Sequence, residues 1–239
     1  MAGLTTIALI ERRADISRDL FTRYWRDVHG VMAARIPGFE SYVQHHVTQD
    51  SGAVGDIAFE GIAVVRFACE ADRAGLGESA ISTQIVRDEP NVFTRALLYN
   101  LSASDSVRVN EGTATDPDDT GFLLFAHHEA AQEWTDAAGA VGIEVHLHDL
   151  RGADPSLWNG IDAGAVSWQG VVQYWAGGRE LPPVPDGVTG FRTDERYVMV
   201  EKGRPTPIGL RGADAVRTIN EIGAKNQLER DVETLIYGI

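Results

Sequence analysis

Apolar residues at Leu20, Phe21, Tyr24, Trp25, Val28, Val31 and Met32 recur at about 3.6-residue spacing, which predicts a helix with a wide buried stripe. Ser17 is placed to cap it, Asp19 suits its N-terminal dipole, and Pro37-Gly38 stops it. Strands are predicted on either side. Residues 4–10 (LTTIALI) are β-rich, and residues 39–47 alternate. That alternation sets Phe39, Ser41, Val43, His45 and Val47 on one face and Tyr42, Gln44 and His46 on the other. Residues 61–69 (GIAVVRFAC) and 96–101 (ALLYNL) read as two more strands, with a weaker helix over 72–86 broken by Gly75 and Gly77. The order β-α-β-β-α-β is the ferredoxin-like unit.

Residues 110–120 (NEGTATDPDDT) are acidic and rich in turn formers, which marks a linker. Beyond it the order recurs in reduced form: strands at 121–126, 143–150, 166–175 and 196–201, and a short helix at 130–140. The Gly- and Pro-rich stretch 177–190 replaces the second helix. Aligning Gly38 with Gly142 sets Tyr42 opposite His146 and Gln44 opposite His148. Val216, Ile219, Leu228, Val232, Leu235 and Ile236 then predict one amphipathic C-terminal helix, whose stripe needs cover from this chain or a second copy. The expected fold class is therefore α+β, with two tandem ferredoxin-like units (1–112 and 121–212) closing an intramolecular barrel, plus a C-terminal helix (213–239).

Composition narrows the function. The 239 residues carry a net charge of -14, which repels nucleic acids and anionic bilayers. No apolar run reaches the ~18–20 residues of a membrane span, and the start lacks the pattern of a secretion signal, so a cytoplasmic protein is expected. The single cysteine, Cys69, closes an apolar run and is expected to be buried. No G-x-G-x-x-G, P-loop or G-x-S-x-G motif occurs, so neither a nucleotide nor a serine nucleophile is indicated.

His29, at the edge of the helical stripe before Gly30, can exchange protons near neutrality, or can simply lock the helix end through a hydrogen bond. Tyr42 can donate to a carbonyl oxygen or fill space as an aromatic wall. Glu144, His146 and His148 share one strand face. That set suits a divalent metal, a metal-free catalytic or polar pocket, or a solvated face. Arg66 on an apolar strand is a candidate partner for a ligand carboxylate or an internal acid. Asp88, before Pro90, reads as a turn-forming or helix-ending carboxylate.

The first half resembles the EthD family of the dimeric α/β-barrel superfamily. The likeness rests on F-x-x-Y-W-R-D-V-H-G (21–30), I-P-G-F (36–39), Y-V-Q (42–44) and D-E-P-x-x-F (88–93). It implies two sheets face to face with helices outside and a ligand in the barrel between them. It also implies a helix histidine and strand tyrosine as an acid–base pair, as in an isomerase of the family, and His29 and Tyr42 keep that spacing. The expected function is a cofactor-independent lyase, isomerase or cyclase acting on a small apolar carbonyl, aromatic or polyketide-derived metabolite. His29, Tyr42 and His146 would be catalytic; Trp25, Gln44, His46, Arg66, Glu144 and His148 would bind substrate, with no metal. The alternatives are a cofactor-free oxygenase of phenols and a non-catalytic binder of an apolar metabolite. A homodimer stays open.

Overall fold

Antiparallel pairing organises the chain. The computed structural model describes residues 4–52, 58–153, 156–158, 168–209 and 214–237. Its first half runs β1 (Leu4–Arg12), α1 (Arg18–Tyr24), a π-helical turn (Trp25–His29), α2 (Gly30–Ala33), β2 (Phe39–Ser51) and β3 (Phe59–Phe67). It continues through α3 (Glu70–Ala74), a 3-10 turn (Gly75–Glu78), α4 (Ala80–Val92), β4 (Phe93–Leu101) and β5 (Ser106–Val109). The second half holds β6 (Thr120–Phe125), α5 (His128–Ala140), β7 (Glu144–Asp149), β8 (Ser156–Trp158), β9 (Gly170–Trp175), β10 (Thr189–Glu201) and β11 (Arg204–Pro205). Helices α6 (Ala215–Ile222) and α7 (Arg230–Tyr237) complete it.

The strands form one curled sheet in the order β5-β7-β9-β6-β10-β2-β3-β1-β4-β8, with β11 on β10. Within it the first half reads β2-β3-β1-β4 and the second β7-β9-β6-β10. The halves join where β10 pairs β2. Along β1, β3 and β6, alternate residues turn to a core beneath the helices and to a core inside the curl. Inside the curl, Ile7, Leu9, Phe59 and Ile62 pack with Phe122, Leu124, Val171 and Phe191, so residues of both halves make one core. Two further cores lie between sheet and helices. One sits beneath α1, α4 and the C-terminal helices, the other beneath α5.

Several expectations need correction. Pro90 does not end α4, which runs on to Val92, so Asp88 lies within a helix rather than in a turn. The C-terminal segment is two helices, because Gly223 takes a left-handed conformation (φ +80°) that closes α6. Both pack on the first half of this chain, with Arg23 reaching Glu221 at 3.0 Å. Cys69 is exposed and donates its thiol to Asp72 Oδ2 at 3.1 Å. Strand β5 within the expected first unit pairs β7 of the second half. Residues 166 and 167 of the expected third late strand, and 210–213 before α6, lie outside the described residues.

Candidate active site

The site begins at Ser17, whose Oγ accepts the Leu20 N–H at 3.1 Å and starts α1. The helix then widens into the π turn at Trp25–His29, where the Gly30 N–H bonds the Trp25 carbonyl. One extra residue in the turn rotates the residues after it by roughly 100° relative to an unbroken α-helix. Two glycines make room. A Cβ on Gly30 would meet the Trp25 carbonyl oxygen at 2.7 Å and clash with Gln44 Nε2; one on Gly61 would meet the Trp25 ring at 2.5 Å. The indole therefore packs directly against β3 at Gly61, and Gln44 reaches the helix backbone.

His29 is buried, with Nδ1 3.0 Å from Asp88 Oδ2. Asp88 is wholly buried, yet it has other donors: Tyr24 Oη bonds Oδ1, and Asn91 Nδ2 bonds the same oxygen at 2.9 Å. A carboxylate so held fixes the imidazole with its proton on Nδ1 and leaves Nε2 as the basic nitrogen. The edge of Phe93 packs on the ring at 4.8 Å.

His29 lines a cavity of about 180 Å³ between the sheet and the helices. Trp25, Phe39, Tyr42, Glu89 and Phe93 share it, and Ala63 and Val65 form its floor. Tyr42 accepts from Gln44 Nε2 at 2.8 Å, which leaves its own hydroxyl proton free for a ligand. Burial pushes the phenol up to about 12, so it stays protonated. Glu89 is 2% exposed with Oε1 unpartnered among the described residues. Burial, then the charge of Asp88, raises it to about 9, so it is a neutral acid at pH 7.

Five of the nine expected site residues line one of two separate cavities, and Gln44, His46, Glu144 and His148 line neither. Trp25, His29 and Tyr42 come together. Gln44 stands behind Tyr42. His46 lies under the Trp25 ring at 4.5 Å, held by Thr22 Oγ1 at 3.2 Å and pushed by burial to about 3. His146 and Arg66 line a different cavity, inside the curl. His146 therefore cannot face Tyr42 as the repeat alignment implied. Val145 and Leu147 face α5, so the registers of the two halves differ by one residue, and such a slip exchanges the faces. Phe39 likewise joins the face of Tyr42, because β2 bulges between Phe39 and Ser41. Glu144 accepts the Ala114 N–H at 2.9 Å, and His148 pairs with Ser106 at 2.9 Å. Among the described residues no three His, Cys, Asp or Glu side chains gather in a metal-binding group.

Sequence reasoning missed Glu89 and the partnership of Tyr24, Asp88 and Asn91. The three-residue spacing of Asp88 and Asn91 on one helix face was the available signal, hidden by reading Pro90 as a stop.

No helix among the described residues is long and apolar enough to cross a membrane. No curated protein matches the sequence. Among solved structures, an anthrone oxidase-like protein is similar with a TM-score of 0.48 at 12% identity, over 86% of this chain and 97% of that one. An ethyl tert-butyl ether D (EthD) family protein from Bacillus halodurans C-125 is similar with a TM-score of 0.31 at 17% identity, over 40% of this chain and 95% of that one. The family model described as the EthD domain matches residues 13–95 of this chain, which hold the π turn, β2, β3 and α4.

Proposed function

We propose that the cavity beside His29 is the active site of an enzyme that moves a proton at carbon in a small apolar carbonyl compound, using side-chain acid–base chemistry without a cofactor. The observation that carries this reading is the buried His29–Asp88 pair opening onto an apolar cavity. A dry cavity of ~150 Å³ takes one benzene-sized molecule, so about 180 Å³ suits a single-ring substrate. On this reading two ferredoxin-like units, 1–112 and 121–212, wrap around each other with the C-terminal segment 213–239 as a cover. The shared strand order of the halves supports it. The substrate sits between sheet and helices of the first unit.

His29 Nε2 removes the proton, and Asp88 stabilises the imidazolium that forms. Tyr42 donates to the enolate oxygen. The neutral carboxyl of Glu89 is a second donor and can return a proton at another carbon, which favours isomerisation, elimination or cyclisation. Trp25 and Phe93 hold the ring, and Gln44 positions Tyr42.

The test is solvent-deuterium exchange into cyclohexanone, a single-ring ketone, followed by NMR. The native protein should accelerate exchange of the acidic C–H. Asn at position 29 keeps a donor for Asp88 but has no base, so His29→Asn should lose at least about a hundredfold of that acceleration. Tyr42→Phe should lose about 10²-fold. Binding without exchange across a panel of cyclic ketones points to a non-catalytic binder. Oxygen uptake with a heavier product points to an oxygenase. Equal exchange by native protein and His29→Asn removes the assignment.

A further inference from the structure

The second cavity lies inside the curl, across the sheet from His29. Alternation along β3 separates the two: Ala63 and Val65 floor the first cavity, while Val64 and Arg66 face the second. The second has a volume of about 230 Å³ and is built by both halves. Arg66 and His45 come from one; His146, Gln173, Trp175 and Arg196 come from the other.

Its charges are unevenly satisfied. Arg196 reaches Asp118 at 3.6 Å, and the neighbouring Arg108 is paired with Glu111. Arg66 has no ion pair or hydrogen bond among the described residues, although Glu40 and Glu111 lie within electrostatic range. His146 is 5% exposed, and its Nε2 has no hydrogen-bond partner among the described residues; Glu144 Oε1 stands 3.4 Å away. The ring of His146 packs edge-on to Trp175 at 4.8 Å. Valines of β2, β3 and β10 complete the wall, and Glu201 is the lining acid, exposed. A half-buried guanidinium without an ion pair, beside an indole and a wall of valines, is complementary to a planar organic anion. A guanidinium matches a carboxylate through two parallel hydrogen bonds. Apolar walls call for a hydrocarbon body, which free phosphate lacks. One unpaired cation matches one negative charge.

We propose that this hollow is a second ligand site, independent of the proton-transfer reading of the first, and that it takes a small aryl carboxylate on Arg66 with its ring beside Trp175. Because both halves line it, occupancy ties them together.

The test is calorimetric titration with benzoate and with its neutral isostere benzamide. Native protein should bind benzoate one to one, at least about tenfold more tightly than benzamide, since a hydrogen-bonded charge contributes that much. Arg66→Met should abolish the preference, and His29→Asn should leave it unchanged. Three results overturn the proposal: no saturable benzoate binding, equal affinity for the two probes on native protein, or a preference lost in His29→Asn and kept in Arg66→Met. The comparison on native protein stands even if Arg66→Met fails to fold.

Discussion

Asp88 and Glu89 are adjacent buried carboxyl groups, and their surroundings differ. Asp88 takes hydrogen bonds from Tyr24, Asn91 and His29, which compensate its burial. Glu89 has no such donors on Oε1, and it sits beside that charge, so it holds its proton up to about pH 9. The consequence for stability has a definite sign. In the unfolded chain the carboxyl ionises near ~4.3, so between there and about 9 the unfolded state binds fewer protons than the folded state. Stability from this group therefore falls as pH rises through that window, and levels off above it. Glu89→Gln should flatten the fall and make the protein more stable than native at pH 8. Urea unfolding at pH 5 and pH 8 checks this; an unchanged slope in the variant refutes the assignment.

At the level of elements, the site depends on two irregularities, each one residue in size. The π turn re-aims His29, and the bulge at the start of β2 brings Phe39 to the side of Tyr42. Gly30 holds the first in place, because its missing side chain admits both the Trp25 carbonyl and the Gln44 amide. Gly30→Ala cannot be absorbed by a side-chain swing alone, since the carbonyl is backbone. It should cost about 1–3 kcal/mol in stability, read from chemical denaturation, and lower any His29-dependent turnover by misplacing the ring. A variant with native stability and activity would show that the π turn is incidental.

At the scale of the whole molecule, the inner core decides whether either half can stand alone. Ile7, Leu9, Phe59 and Ile62 are covered by Phe122, Leu124, Val171 and Phe191 from the other half. Cutting the chain after residue 112 strips that cover, removes β10 from the edge of β2, and leaves β5 without β7. Such a face is a pairing and aggregation surface. The fragment 1–112 should therefore self-associate or precipitate, as size-exclusion chromatography would report. A monomer with a cooperative melt would contradict the shared-core account.

Hydrophobic periodicity was enough to place β1, α1, β2, β3 and β4, the short helix α5 and the alternating strand β7. Period and turn residues are local properties of a chain. The resemblance to the EthD family, rather than periodicity, marked His29 and Tyr42 for chemistry, and both line one cavity. Periodicity assigns two faces to a strand without saying what each face meets. That His29 meets Asp88 across 59 positions, that Glu89 is left neutral, and that His146 and Arg66 belong to another hollow were decided only when the sheet curled. The physical reason is register. A displacement of one residue in a bulge or between two strands reverses every face beyond it, and only packing against the rest of the molecule selects the register.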